Sequence, residues 1–171
     1  MMFLAVDPVR AAEILFTAPY VVIEGTYLVR DEAPYQTVED LDSAGVRIAV
    51  GKGAAYDLFL TRHLKQASLE RVATSPDAIA LFVEQKLDAA AGVRQPLTAY
   101  AAEHPGYRVL PGRFTAIEQG MGVPNGRENA RAWLQDFVED VKKIGRVRML
   151  LDKHGQNAAS VAPPSAGWTK F

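Results

Sequence analysis

Phe3-Leu4-Ala5-Val6-Asp7-Pro8-Val9-Arg10 opens the chain, followed by Ala11-Ala12-Glu13-Ile14-Leu15-Phe16-Thr17-Ala18-Pro19-Tyr20 and an apolar run to Val29. A loop ending in an arginine thus precedes a phenylalanine and a Pro-Tyr pair. Residues 21–29 are rich in β-branched and aromatic side chains, which suit a pleated surface, so they predict a strand. Arg30-Asp31-Glu32-Ala33-Pro34 then turns polar and marks the first boundary.

Working outward, the pattern alternates. Thr37, with Asp40 three positions later, makes a weak capping box for a short helix to Leu41, and Gly45 punctuates it before an apolar strand over residues 46–50. Gly51-Lys52-Gly53 permits a tight turn, and residues 54–65 carry Tyr56, Phe59, Leu60 and Leu64 near helical spacing. The unit repeats: a strand over 69–73, then Ser75-Pro76-Asp77 as an N-cap with proline at the first helical position, then a helix to Lys86. A strand over 89–93 leads into a helix over 94–103, stopped by His104-Pro105-Gly106, and a strand over 107–110 follows. Strands alternating with helices predict a parallel α/β sheet.

Residues 114–123 form a strand running back, and Pro124-Asn125-Gly126 is a turn. The segment 127–144 places Ala130, Trp133, Leu134, Phe137, Val138 and Val141 on one helical face. A last helix over 146–154 closes at Gly155. The tail, residues 156–171, contains Pro163, Pro164 and Gly167. It reads as an extended strap with Val161 and Trp168 packed down, or else as a frayed terminus.

The 171 residues, 49% hydrophobic and 23% charged, can bury a core of ordinary size. A net charge of -1 gives no electrostatic footprint for nucleic acid, whose backbone calls for clustered lysine and arginine. Residues 15–29, broken by Pro19, Glu24 and Gly25, fall short of the ~20 apolar residues that a membrane helix needs. No secretory signal is visible ahead of Phe3. The chain has no cysteine, which removes disulfides, thiolate metal sites and a cysteine nucleophile. His63, His104 and His154 are scattered, without the short spacing of a zinc motif. Gly51-Lys52-Gly53 lacks the third glycine and the Gly-Lys-Ser/Thr ending of nucleotide loops. No metal or cofactor is expected.

Taken in order, several marks resemble a known family: Arg10 with Phe16 and Pro19-Tyr20, Leu41 ahead of Val46-Arg47-Ile48-Ala49-Val50, Gly51 with Gly53, Leu87-Asp88-Ala89-Ala90, and Gly120-Met121-Gly122-Val123. Together they resemble periplasmic solute-binding proteins of family 3, the amino-acid-type substrate-binding components of ABC transporters. The resemblance implies a two-lobe α/β clamshell of the type 2 periplasmic-binding fold. Residues 1–30 would supply a partial first lobe and the first hinge strand. Residues 31–113 would form a complete, inserted second lobe, and residues 114–171 the second hinge strand and the return to the first lobe. In that family the first lobe opens with strands, helices and a ligand-stacking aromatic that have no counterpart before Met1, so the resemblance implies an N-terminally truncated chain. It also implies a periplasmic location, a small carboxylate solute and ABC permease subunits as partners, and capture by hinge closure. An incomplete first lobe would expose apolar surface over residues 16–29 and along the helix holding Trp133 and Phe137, inviting self-association. A ligand-sensing module of a signalling protein and a cyclohexadienyl-dehydratase-like enzyme share the same clamshell.

By the same resemblance Arg10 grips the solute carboxylate, for which a planar guanidinium fork is suited. Pairing of Arg10 with Asp7 or Glu13 is the structural alternative. Ala5 stands where relatives place a hydroxyl. Gly53, Ala54 and Ala55 would offer backbone N–H groups at a helix N-terminus, a natural anion site, although relatives have a threonine or serine after the second glycine. Tyr56 would supply a phenol to the cleft or else belong to the core. Relatives carry an aspartate for the ligand ammonium just past the Leu-Asp-Ala-Ala mark. Here Gly92, Val93 and Arg94 occupy that neighbourhood, so Arg94 in the cleft would favour an anionic solute. An exposed helix-start arginine is the alternative. Among Asp7, Glu13, Glu24, Asp57, Asp88 and Glu118 no pair is spaced for general acid and base roles, so catalysis is not expected.

Overall fold

A computed structural model describes residues 1–165. In chain order the elements are β1 (Met2–Ala5), α1 (Pro8–Ala11), β2 (Ile14–Phe16), β3 (Val21–Arg30), a short 3-10 turn (Glu39–Leu41), β4 (Arg47–Gly51), α2 (Ala55–His63), β5 (Ser68–Val72) and α3 (Ser75–Glu84). They continue with β6 (Ala89–Val93), α4 (Arg94–Glu103), β7 (Tyr107–Val109), β8 (Thr115–Pro124), α5 (Glu128–Lys143), α6 (Arg146–Lys153) and β9 (Ser160–Val161). No helix among the described residues is long and apolar enough to cross a membrane.

The chain divides into two compact units: Met1–Ile23 with the segment from Ile117 onward, and Glu24–Ala116. Both β3 and β8 therefore begin in one unit and end in the other. The second unit starts earlier than the polar turn at residue 31 suggests, because residues 25–28 of β3 already pair with β6.

In the first unit β8 is the middle strand. β1 runs antiparallel along it, with Met2 opposite Gly122 and Ala5 opposite Gln119, and β2 does the same with Phe16 opposite Gly122. The chain between Phe3 and Glu13 is not simply a loop: it holds β1 and the single turn α1. Helix α5 buries Leu134 and Val138 against Met121 and Val123, while Val147 of α6 packs with Val21 and Ala159. Residues 16–19 are buried, as are 25–29, so most of the run expected to lie open is covered. Trp133 and Phe137, on the predicted apolar face, are exposed, as expected of the helix that holds them. Val161 is packed as a strap would have it, paired with Val21, while Trp168 lies outside the described residues.

The second unit corrects the expectation of a parallel sheet. β4 runs parallel to β5 and β6, but β3 is antiparallel to both β6 and β7, so the sheet is mixed. β3 enters from the other unit rather than from a preceding helix, and no crossover constrains its direction. Leu28, Ala49, Phe82, Leu87, Ala90 and Leu97 form the core. Arg30 closes one end of it, stacking over Phe82 at 4.7 Å and donating to the Leu87 and Phe82 carbonyls. Helix α3 starts one residue earlier than read: Thr74 is the cap, its hydroxyl accepting from the Asp77 N–H, and Ser75 is the first helical residue. Around the 3-10 turn half of the expected capping box forms, with the Asp40 carboxylate accepting from the Gln36 and Thr37 N–H groups at 2.7 and 2.8 Å.

Two positions make the fold testable. A Cβ on Gly51 would lie 2.8 Å from the Ser75 backbone nitrogen, with no flexible atom to yield. Gly51→Ala should destabilise by about 1–3 kcal/mol in urea denaturation. Asp42 accepts N–H bonds from Gln66 at 2.8 Å, Lys65 at 3.0 Å and Ala67 at 3.2 Å, and these bonds, Gln66 foremost, hold its carboxyl below the ordinary 3.8. A depressed folded pKa contributes stability above the unfolded value, and that contribution is lost as pH falls through the folded one. Asp42→Asn should therefore flatten the fall in melting temperature seen below about pH 4.

Candidate functional site

On the first unit the local sequence builds a small platform for Arg10. The buried Asp7 accepts the Val9 N–H at 2.9 Å and caps α1, and Pro8 presets the first helical position. This turn brings Arg10 back over the end of β1, where its Nη1 donates to the Ala5 carbonyl at 3.1 Å. Arg10 is half-buried and Ala5 is buried. The structure thus brings Ala5 and Arg10 together, and Ala5 offers a carbonyl where relatives would offer a hydroxyl.

Behind this platform lies a network that sequence reasoning missed. Residues 17–19 belong to no strand: the Thr17 N–H bonds the Met121 carbonyl and the Thr17 hydroxyl the Ala18 carbonyl, while side chains of α5 meet further backbone groups of residues 16–19. Arg131 Nε donates to the Phe16 carbonyl at 3.1 Å, the Ala18 N–H donates to Gln135 at 2.6 Å, and Lys142 Nζ donates to the Pro19 carbonyl at 3.2 Å. Lys142 is itself buried, donates to the Pro163 carbonyl at 3.0 Å and pairs with Glu139 at 2.6 Å. Burial alone would raise the Glu139 pKa, but the bonds from Lys142 and Ser165 hold it below the ordinary value. The signal was available as Arg131, Gln135, Glu139 and Lys142 at intervals of four, four and three, a polar stripe beside the apolar one.

On the second unit, Gly53 adopts φ +74, the left-handed conformation that favours glycine. Its N–H is not presented to solvent: it donates to Asp57 Oδ2 at 2.8 Å. Asp57 is 4% exposed, and its other oxygen takes Arg71 Nε at 3.0 Å. The Ala54 N–H turns back to the Gly51 carbonyl at 3.2 Å. Thus the helix supplies its own anion at its first turn, which compensates for the missing hydroxyl at Ala54. The first N–H bonding into the helix from residue 54 is that of Leu58, so those of Ala55 and Tyr56 remain at the open end of α2.

Tyr56 is a core residue here. It is buried, its hydroxyl donates to Ser75 Oγ, and burial pushes its pKa up. It forms the floor of an apolar groove of about 470 Å³ between α3 and α4, with Ser75, Ile79, Gly92, Leu97 and Tyr100.

Arg94 is half-buried and engaged with the protein. Its Nε pairs with Glu24 at 2.6 Å, and its terminal nitrogens donate to the Leu110 and Gly112 carbonyls. Glu24 also takes Arg113 at 3.2 Å. The guanidinium therefore ties the start of α4 to β3 and to the segment ahead of β8, all within the second unit. Asp88 accepts from the Tyr35 hydroxyl at 3.0 Å and the Arg47 N–H at 2.8 Å at the entry to β6.

No family profile and no curated protein sequence matches the chain. Solved structures do. A mutant of ArgBP from T. maritima aligns with TM-score 0.74 at 20% identity, over 90% of this chain and 67% of its own. The solute receptor for L-cysteine of Neisseria gonorrhoeae aligns with TM-score 0.78 at 21% identity, over 94% and 68%. An ancestral amino acid-binding protein described as a precursor of cyclohexadienyl dehydratase aligns with TM-score 0.71 at 24% identity, over 88% and 65%. The fold is the mixed α/β fold of periplasmic binding proteins, and the chain spans about two thirds of the length of these relatives.

Asp57→Ala should cost about 1–3 kcal/mol by removing the carboxylate to which the Gly53 N–H and Arg71 Nε donate, and Asp57→Asn should cost less. Chemical denaturation of the two variants beside the parent measures the difference.

Proposed function

We propose that the chain belongs to a solute-binding component of an ABC transporter, capturing a small carboxylate-bearing solute by hinge closure. The observation that carries this reading is Arg10, set on a capped turn with one arm braced by the Ala5 carbonyl, in a fold whose solved relatives are amino acid-binding proteins. A fixed guanidinium loses little further freedom on meeting a carboxylate and can bind it bidentately. Arg94, already satisfied by Glu24 and two carbonyls, is left out of the proposed site, and so is Tyr56's phenol.

Binding fits these residues better than catalysis. Asp57, Glu24 and Asp88 each hold protein donors, and a general acid or base needs to reach its substrate instead. In the transport reading the closed form docks to permease subunits in the periplasm. The whole protein's solute and partners are part of this proposal.

Isothermal calorimetry with a panel of amino acids and organic acids tests it. Arg10→Ala should lower affinity for the bound carboxylate by about tenfold or more, while Arg94→Ala should lower the melting temperature and leave affinity nearly unchanged. Equal affinity in parent and Arg10→Ala rejects the role of Arg10.

A further inference from the structure

Lys142 is a buried cation that solute binding at Arg10 does not use. Its ammonium meets three acceptors: Glu139 of its own helix at 2.6 Å, the Pro19 carbonyl ahead of β3 at 3.2 Å, and the Pro163 carbonyl of the C-terminal segment at 3.0 Å. Burying an ammonium is costly unless its protons are met, so this arrangement holds only while both backbone segments stay in place. The C-terminal segment is fastened further along β3. The Ala162 N–H donates to the Tyr20 carbonyl at 3.1 Å, β9 pairs with Val21 and Val22, and Ala159 packs with Val21 and Val147. Arg148 Nη1 donates to the Ala159 carbonyl at 3.1 Å, and the Ser165 hydroxyl bonds Glu139 at 2.8 Å. β9 itself is two residues long, too short to hold by its ladder alone.

We infer that residues 156–165 are a latch on the first crossing strand, with Lys142 as its positioning residue, and that the latch confines bending of β3 to the junction of Ile23 and Glu24. On one side of that junction β3 is held by the first unit through Ile23, which packs against the same apolar cluster as Val21 and Ala159. On the other side it is held by the second unit: Glu24 pairs with Arg94 and Arg113, the Gly25 carbonyl takes the Phe114 N–H, and Gly25 opposite Val93 opens the ladder to β6. The two compact units divide at the same place. The use of the latch rests on the hinge-closure reading: a strand with one defined pivot opens and closes along one path, whereas an unlatched β3 bends anywhere between Tyr20 and Glu24.

The chain has no cysteine, so it takes a chosen pair of spin labels cleanly. Labels at Glu84→Cys and Glu128→Cys, exposed sites in the second and first units, give a distance distribution by double electron resonance on the full chain without any solute. Lys142→Met keeps an unbranched stem and removes the three donors, and it should widen that distribution. Hydrogen exchange should quicken by roughly tenfold or more at the amides of residues 20–23 and 159–161 and stay nearly constant at 25–29. Ala162→Pro removes the donor to Tyr20 and leaves Lys142 in place; it should give the same pattern. The two substitutions together should do no more than the stronger one alone, as a single latch requires, whereas two unrelated packing defects would add. A distribution of unchanged width, exchange that rises equally over 20–23 and 25–29, or additive effects overturns the latch. Calorimetry that detects no solute rejects the transport reading instead and leaves these outcomes as they are.

Discussion

An inserted unit obliges the chain to cross twice, and two strands make the crossings. β3 and β8 are each ten residues long and uninterrupted. Their halves are fastened separately. In the first unit Tyr20 N–H bonds the Gln119 carbonyl at 2.9 Å, and in the second Phe114 N–H bonds the Gly25 carbonyl at 3.0 Å. Glu24, the first residue of the second unit, then gathers Arg94 and Arg113. β3 arrives from outside the second unit, free of a crossover that would hold it parallel, and lies antiparallel to β6, so the sheet is mixed.

Charge accounting decides what the candidate site can do. Many conspicuous ionic groups are committed to the protein itself: Asp57 to Gly53 and Arg71, Arg94 to Glu24, Lys142 to Glu139 and two carbonyls. Such pairs specify local geometry more than they add stability, since each charge gives up water to form them. Arg10 donates to the Ala5 carbonyl on a turn capped by Asp7 and preset by Pro8. In the proposed reading it is this positioned guanidinium that meets the anionic group of the solute.

Much of this was legible in the residues themselves. The β-branched run ending at Val29 is a strand, Gly51-Lys52-Gly53 is a turn, and residues 89–93 and 94–103 have the bounds that period and punctuation suggest. What escaped was non-local. Periodicity reports that Trp133 and Leu134 share a broad face, but not that only Leu134 meets β8. Arg94 and Glu24 are 70 positions apart, so no spacing rule joins them. Direction in a sheet depends on how a strand enters, which alternation of elements does not record. The Gly53 N–H, one of the donors expected at that helix end, is taken by Asp57 four residues on.

The most direct measurement is an amide NMR titration of the isotopically labelled chain with amino acids and organic acids of matched size. The account predicts shift changes concentrated at residues 5–10, with the Arg10 guanidinium resonance moving in step and Arg94 staying in place. Shifts centred on the groove between α3 and α4, or an Arg94 resonance that moves while Arg10 does not, would contradict it.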